Sequence, residues 1–324
     1  MESGTYEATF VEGALLMAFM FTDGSFELGY NGVPGGMRRM PDEVFYHLAK
    51  PLRRPLMAFR EEVIRAAGEI RASRDGQIFI PYSGGADSEG ICEAFRLAGI
   101  EFTPLIVVYE DELNKHDVDY AFAYCKAVGI EPMVERIDLA KFYASGQALE
   151  MARLCQAWEL AYMPVLSVIF SYRQRGFFIG PGEASIHRVR AEHGRDVWMY
   201  SESERHYCYN KFMMAADING VPSFYQWSTE LVHSMLCDPL MESLANGLYD
   251  PAIWGSSLLK HSFYQKHLRM KRRKKFTGFE LFRGTLAHHN HAWRQSVPAL
   301  LCQNQTSSIG YWEQLARTRW GDND

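Results

Sequence analysis

At 324 residues, 47% of them hydrophobic, the chain is long enough for one large or two modest globular domains with a buried core. A net charge of −5 argues against a general nucleic-acid or membrane binder, while leaving room for a local basic patch. No apolar run approaches the roughly 20 residues that span a bilayer, so no membrane partner is expected.

The opening residues 1–6 lack the positive stretch of a secretion signal, which leads to the expectation of a cytoplasmic protein. Six cysteines are scattered with no C-x-x-C pair, a pattern of reduced, mostly buried thiols rather than of a disulfide framework or a zinc site. Residues 14–21 form an apolar run, Asp23-Gly24 reads as a turn, and residues 26–30 alternate; together they predict a β-hairpin. Helices are expected over 41–50 and over 55–73, where Met57, Val63, Ile64, Ala67 and Ile70 recur at helical spacing. Residues 1–73 thus read as a small α+β cap, followed by a nucleotide-binding unit over 74–187.

From Gln77 onward strands and helices alternate. An apolar strand over 78–82 feeds the turn Ser83-Gly84-Gly85-Ala86-Asp87-Ser88, and helical spacing takes over at 89–97. That order builds an anion site. Two glycines let the backbone approach a ligand closely, and free N–H groups at a helix start point at whatever sits in the turn. Phosphate or pyrophosphate suits such a turn, against the plainer alternative of a surface loop of ordinary loop residues. No Gly-Lys-Ser/Thr closes it, so it is not a Walker A loop, and the G-x-G-x-x-G dinucleotide spacing is absent.

A second strand over 103–109 is almost continuously apolar, as a parallel strand covered on both faces should be, and ends at Tyr109 before Glu110-Asp111-Glu112. A helix over 114–128 leads through Gly129 to a strand over 132–137. Helices fill 139–172, and a fourth strand over 177–179 runs into Gly180-Pro181-Gly182-Glu183. The succession predicts an α/β fold, a parallel sheet with helices on both faces, with ligand bound beyond the carboxyl ends of the strands. After His187 the pattern is mainly helical and rich in aromatics, a substrate or closure region over 188–324. There Glu230, His233 and Cys237 share one helix side, lining a cavity or packed as core. The basic run 266–275 has three open readings: a solvated helix face, a nucleic-acid contact, or a phosphate clamp. His288 and His291 lack acidic or cysteine partners nearby, which favours a structural or surface role over a metal.

The turn resembles the Ser-Gly-Gly-x-Asp-Ser signature of the PP-loop ATP pyrophosphatases, the superfamily of asparagine synthetase, GMP synthetase, NAD synthetase and several tRNA-modifying enzymes, with every fixed position present. In character the chain looks most like the synthetase domain of asparagine synthetase. The resemblance implies ATP and Mg²⁺. Ser83, Gly84, Gly85, Ala86, Asp87 and Ser88 would hold pyrophosphate, with Asp87 and Ser88 in catalytic roles and Asp87 on the metal; an aspartate there also serves as a simple helix cap. Tyr109 would lie by the adenosine, Gly180 and Gly182 near the pyrophosphate, and Glu183 on the metal, although asparagine synthetase carries an Asp-Glu pair where this chain has Glu183 alone. Lys274 and Lys275 would clamp phosphate, Lys275 opening a Lys-Phe-Thr-Gly-Phe-Glu piece similar to a C-terminal segment of asparagine-synthetase-like proteins.

Such enzymes adenylate a substrate oxygen, release pyrophosphate, and pass the adenylate to nitrogen or to sulfur. The lack of paired cysteines and the Ala86 in place of a lysine favour nitrogen, hence an AMP-forming synthetase. No cysteine precedes Cys92, so the resemblance does not extend to a fused glutaminase; free ammonia, an amine substrate or a separate ammonia-supplying subunit remains. Alternatives are a tRNA- or DNA-modifying enzyme recruited through 266–275, a sulfur-transfer or phosphosulfate-reductase-like relative, and a non-catalytic nucleotide-binding module. The acceptor, a small molecule or a nucleobase, and a homo-oligomeric state stay open.

Overall fold

The computed structural model describes residues 22–182, 185–190, 194, 196–241, 256–271, 279–297 and 305–307. The expected strand at 14–21 and the residues Glu183, Lys274 and Lys275 lie outside them.

Three short strands open the described chain: β1 (Phe26–Tyr30), β2 (Val33–Pro34) and β3 (Phe45–Ala49), an antiparallel sheet in the order β2-β1-β3. The helix expected over 41–50 is therefore a strand. Phe45, His47 and Ala49 are buried while Tyr46 is half-buried and Leu48 exposed on the other face, a period of two in a strand that pairs Phe45 with Tyr30 and Ala49 with Phe26. Ring-bearing residues packing on a pleated surface outweigh the local helical pattern. Helix α1 (Phe59–Ala72) follows, its start fixed by Glu61, whose carboxylate accepts the Ala58 N–H at 3.2 Å.

The central sheet is parallel throughout, with β4 (Gln77–Pro81), β5 (Thr103–Tyr109), β6 (Met133–Ile137), β7 (Gly176–Ile179) and β10 (Gly220–Val221) in the order β10-β7-β4-β5-β6. Its strands divide their side chains between two cores with period two. Ile78, Ile80, Ile106, Phe177 and Ile179 join one core, beneath α1, α2 (Ala86–Leu97) and α3 (Lys115–Val128). Phe79, Leu105, Val107 and Phe178 join the other. That face is covered by α4 (Leu139–Ala144), α5 (Gln147–Cys155), α6 (Met163–Ser171) and α7 (Glu204–Ala215). The three inner strands, β7, β4 and β5, contribute side chains to both cores, and their sequences are the predominantly apolar ones.

The later region is helical as expected, with α7, α8 (Thr229–Leu236), α9 (Ser256–Leu268) and α10 (Phe279–Ser296), but it opens on an unanticipated hairpin. Here β8 (Ser185–Arg190) pairs antiparallel with β9 (Asp196–Ser203), and β11 (Thr306–Ser307) adds to β9. Cys92, Cys125, Cys155 and Cys208 are buried free thiols, in keeping with a reduced interior. Among the described residues no helix is long and apolar enough to cross a membrane.

A buried ionic cluster ties the first sheet to α7. Glu204 accepts from Arg38 Nη2 at 2.6 Å and from the Tyr30 hydroxyl at 2.7 Å, and Lys211 Nζ donates to Tyr30 Oη at 2.9 Å. Nearby, His47 stacks on Phe26, and burial pushes its imidazole down from the ordinary 6.5 to about 3. The unfolded chain takes up a proton near the ordinary value that the folded chain refuses until far lower pH. The stability His47 contributes is thus complete above its unfolded pKa and is lost as pH falls through the window down to the folded one, by about 1.4 kcal/mol per pH unit. Burial also pushes His233 down, to about 4, which acts in the same direction. Urea midpoints should therefore fall between about pH 7 and pH 5. His47→Phe, which keeps a ring against Phe26, should flatten that slope in part; an unchanged slope would remove His47 from the account.

Candidate active site

The strand order reverses at the centre of the sheet: the chain runs outward from β4 through β5 to β6, then returns to lay β7 on the other side of β4. The carboxyl ends of β4 and β7 therefore splay two loops apart and leave the crevice where open α/β sheets hold ligands. Residues 82–85 follow β4, and Gly180-Pro181-Gly182 follows β7.

Helix α2 begins at Ala86 rather than at 89, so Ala86, Asp87 and Ser88 form its first turn. The first hydrogen bond of the helix is Glu89 N–H to the Gly85 carbonyl, 3.0 Å, and the amides before it are the ones a helix cannot satisfy internally. The turn is braced from within. Ser83 Oγ lies 3.3 Å from Ser88 Oγ and accepts the Gly85 N–H at 3.3 Å, and Ser88 Oγ donates to the Gly85 carbonyl at 3.1 Å. Gly84 has φ +82°, and a Cβ there would stand 1.9 Å from the Asp117 carbonyl oxygen at the start of α3. Only glycine fits both the angle and the approach.

On the other loop, a Cβ at Gly180 would meet the Pro222 carbonyl oxygen at 2.5 Å, and Gly182, at φ +64°, would meet Ser223 Oγ at 2.9 Å. Phe224 N–H donates to the Gly180 carbonyl at 2.8 Å. These two glycines let the segment after β7 lie against the segment after β10.

Asp87 is the most heavily engaged residue of the turn. Tyr264 donates its hydroxyl to Oδ1 at 2.8 Å, Lys260 Nζ lies 3.2 Å from Oδ2, and the Tyr225 hydroxyl donates to the Asp87 carbonyl at 2.9 Å. Burial, reinforced by the Asp87 charge, holds both tyrosines well above the ordinary phenol range, so they act here as neutral donors. Beside them is a cavity of about 20 Å³, bounded by Asp87, Gly182, Tyr200, Tyr225, Lys260 and Tyr264, with room for one water.

The structure thus brings together Ser83, Gly84, Gly85, Ala86, Asp87 and Ser88, with Gly182 at the same cavity as Asp87. Tyr109 ends β5 at the same edge of the sheet, but its side chain packs in the second core, and its N–H is taken by Asn114 Oδ1 at 2.8 Å. Of the basic run, Lys266 and His267 pair with Asp238, at 2.8 and 3.0 Å. Sequence reasoning missed Lys260 and Tyr264; the available signal was a lysine and a tyrosine four residues apart on one helix face. Among the described residues no group of three His, Cys, Asp or Glu side chains is placed to hold a metal ion, and His288 and His291 are exposed.

The chain matches no protein-family model and no curated protein sequence. Among solved structures it is similar to an NMN synthetase from Francisella tularensis, at 14% identity and a TM-score of 0.32, over 74% of this chain and 96% of that one. A likeness of that size carries no argument about chemistry, which rests on the loops and side chains above.

Proposed function

We propose that the protein is an ATP-dependent, AMP-forming synthetase. The observation that carries this reading is the turn Ser83–Ser88, a glycine-dependent cradle capped by open helix amides at the reversal point of a parallel sheet. In this reading the acceptor's oxygen attacks the α-phosphorus, a new P–O bond forms, and the bond to the bridging oxygen breaks with its electron pair leaving on pyrophosphate. Ammonia or an amine then displaces AMP from the adenylate and gives up its extra proton to solvent. The negative charge that develops on pyrophosphate is met by the amides of Ala86, Asp87 and Ser88, preorganised donors of the type most effective in a transition state, and the Ser83 and Ser88 hydroxyls, which brace the turn in the free site, would join them by rotating toward the ligand.

The donor set also suits Mg²⁺, which binds through one or two carboxylates plus substrate phosphates rather than in an all-protein cage. Asp87 is the described carboxylate in position, and the Lys260 ammonium 3.2 Å away marks it as a site for positive charge. When bound, Mg²⁺ would neutralise phosphate charge.

Incubation with α-labelled ATP, Mg²⁺ and candidate carboxylate or nucleobase acceptors should yield labelled AMP. Asp87→Asn, which keeps the side chain's size and a hydrogen-bonding oxygen, should cut that yield at least about 100-fold. Labelled ADP instead of AMP would overturn the reading. Binding of ATP that survives Asp87→Asn, with no AMP from any acceptor, would point to a nucleotide-binding module without turnover.

A further inference from the structure

We propose that Lys260 is a resident counter-ion, pairing with Asp87 in the unliganded site and transferring to the leaving pyrophosphate when nucleotide and divalent cation enter. The proposal rests on the reading of the site as nucleotide-binding.

Three observations lead to it. First, the ammonium is delivered by a firmly mounted helix. Phe263 of α9 packs edge-on to Phe59 of α1 with ring centroids 4.6 Å apart, Tyr264 stacks on Tyr225 at 5.8 Å, and Arg60 reaches the His267 carbonyl at 3.3 Å. Tyr225 is in turn seated where α2 has a glycine, since a Cβ at Gly90 would stand 2.3 Å from its hydroxyl oxygen. Second, the lysine head is on a flexible four-carbon stem, so it can pivot by a few ångströms while the helix stays in place. Third, the Asp87 carboxylate is 29% exposed while Oδ2 is already paired with the ammonium at 3.2 Å, so a second cation that enters from solvent competes with Lys260 for the same oxygen.

The charge balance sets the direction of the exchange. Asp87 stands in the first turn of α2, where the helix field and its open amides attract an anion. In the unliganded site Lys260 and Asp87 neutralise each other. Were Asp87 taken up by a divalent cation, the Lys260 ammonium, at 21% exposure, would lose its carboxylate. Phosphate oxygens at the adjoining amides supply the replacement anion, and their charge grows as pyrophosphate departs. Lys260 therefore opposes metal binding in the ground state and stabilises the leaving group in the transition state. A merely structural lysine would not produce effects of opposite sign.

The test uses the full chain and α,β-methylene ATP, in which the bond to be broken cannot be hydrolysed. Mg²⁺ binding in its presence is measured by titration calorimetry, AMP release is measured separately with ATP, and melting curves confirm that each variant is folded. Lys260→Met should bind Mg²⁺ about three- to tenfold more tightly than the wild type, in line with the loss of one partly exposed ion pair. It should also release AMP at least about 100-fold more slowly. Lys260→Arg, whose planar fork grips a carboxylate more firmly, should shift the metal affinity the other way and decides the matter alone if Lys260→Met does not fold. Unchanged or weaker Mg²⁺ binding by folded Lys260→Met overturns the assignment of Lys260 alone. Failure of the wild type to bind the analogue overturns the nucleotide reading and the lysine with it.

Discussion

Replacing Gly84 by alanine should abolish nucleotide binding and destabilise the free protein, while the same change at Gly85 should leave the free protein nearly as stable as the wild type. The two glycines are neighbours in sequence but differ in what they do. Gly84 sits at φ +82°, a region that costs an alanine about 1–2 kcal/mol by itself. Its new methyl would also lie 1.9 Å from the Asp117 carbonyl oxygen, a backbone atom of α3 that cannot swing aside. Relief requires the loop and the start of α3 to part by more than 1 Å, and a displacement of that size at a reacting group is enough to lose about 100-fold. Gly85 has an extended φ of −75°, and a Cβ there meets only the Ser83 hydroxyl, at 3.2 Å. Calorimetric titration with α,β-methylene ATP, alongside thermal unfolding, separates the cases. Binding by Gly84→Ala within about threefold of the wild type would show that the loop is not the cradle.

How much of this was legible in the sequence depends on the distance over which each feature is determined. The loop and the strands flanking it were readable because their cause is local. Residues 104–108 are apolar without interruption since β5 is covered on both faces, and Ser83-Gly84-Gly85 reads as a turn from its own residues. The strand at Phe45–Ala49 was not readable, because a five-residue segment becomes a strand only by pairing with Phe26–Tyr30. The hairpin of β8 and β9 failed to register for the same reason, each strand finding its periodicity in the other. Least readable was the partner of Asp87. The basic run drew attention to Lys274 and Lys275, whereas the described cation is Lys260, 173 residues from Asp87, with Tyr264 at 177. No local pattern encodes a contact between the first turn of α2 and the middle of α9; it follows from stacking Phe263 and Tyr264 on α1 and Tyr225.

Truncation of Glu204 should be among the most destabilising single substitutions in the chain. Arg38, Glu204 and Lys211 are 1%, 2% and 0% exposed, so three full charges sit out of water with one carboxylate between two cations. The geometry is what makes this tolerable. Arg38 engages Glu204 through both Nε, at 3.0 Å, and Nη2, at 2.6 Å, and the Tyr30 hydroxyl links Glu204 to Lys211. The main chain of Arg38 is also clamped by Gln156, whose amide accepts its N–H at 2.8 Å and donates to its carbonyl at 2.9 Å. Glu204→Ala leaves the Arg38 guanidinium buried without the carboxylate it engages, a loss of about 3–5 kcal/mol. Combining it with Arg38→Met should recover part of that loss, since the double variant buries one orphaned charge fewer, and an interaction energy of about 1–3 kcal/mol is expected from the cycle. The same cluster bears on the site. Glu204 opens α7 directly after β9, the strand whose Tyr200 forms one wall of the cavity at Asp87. Urea unfolding of the two single variants and the double variant measures the cycle, and strictly additive losses would show that Arg38 and Glu204 stabilise the fold independently of each other.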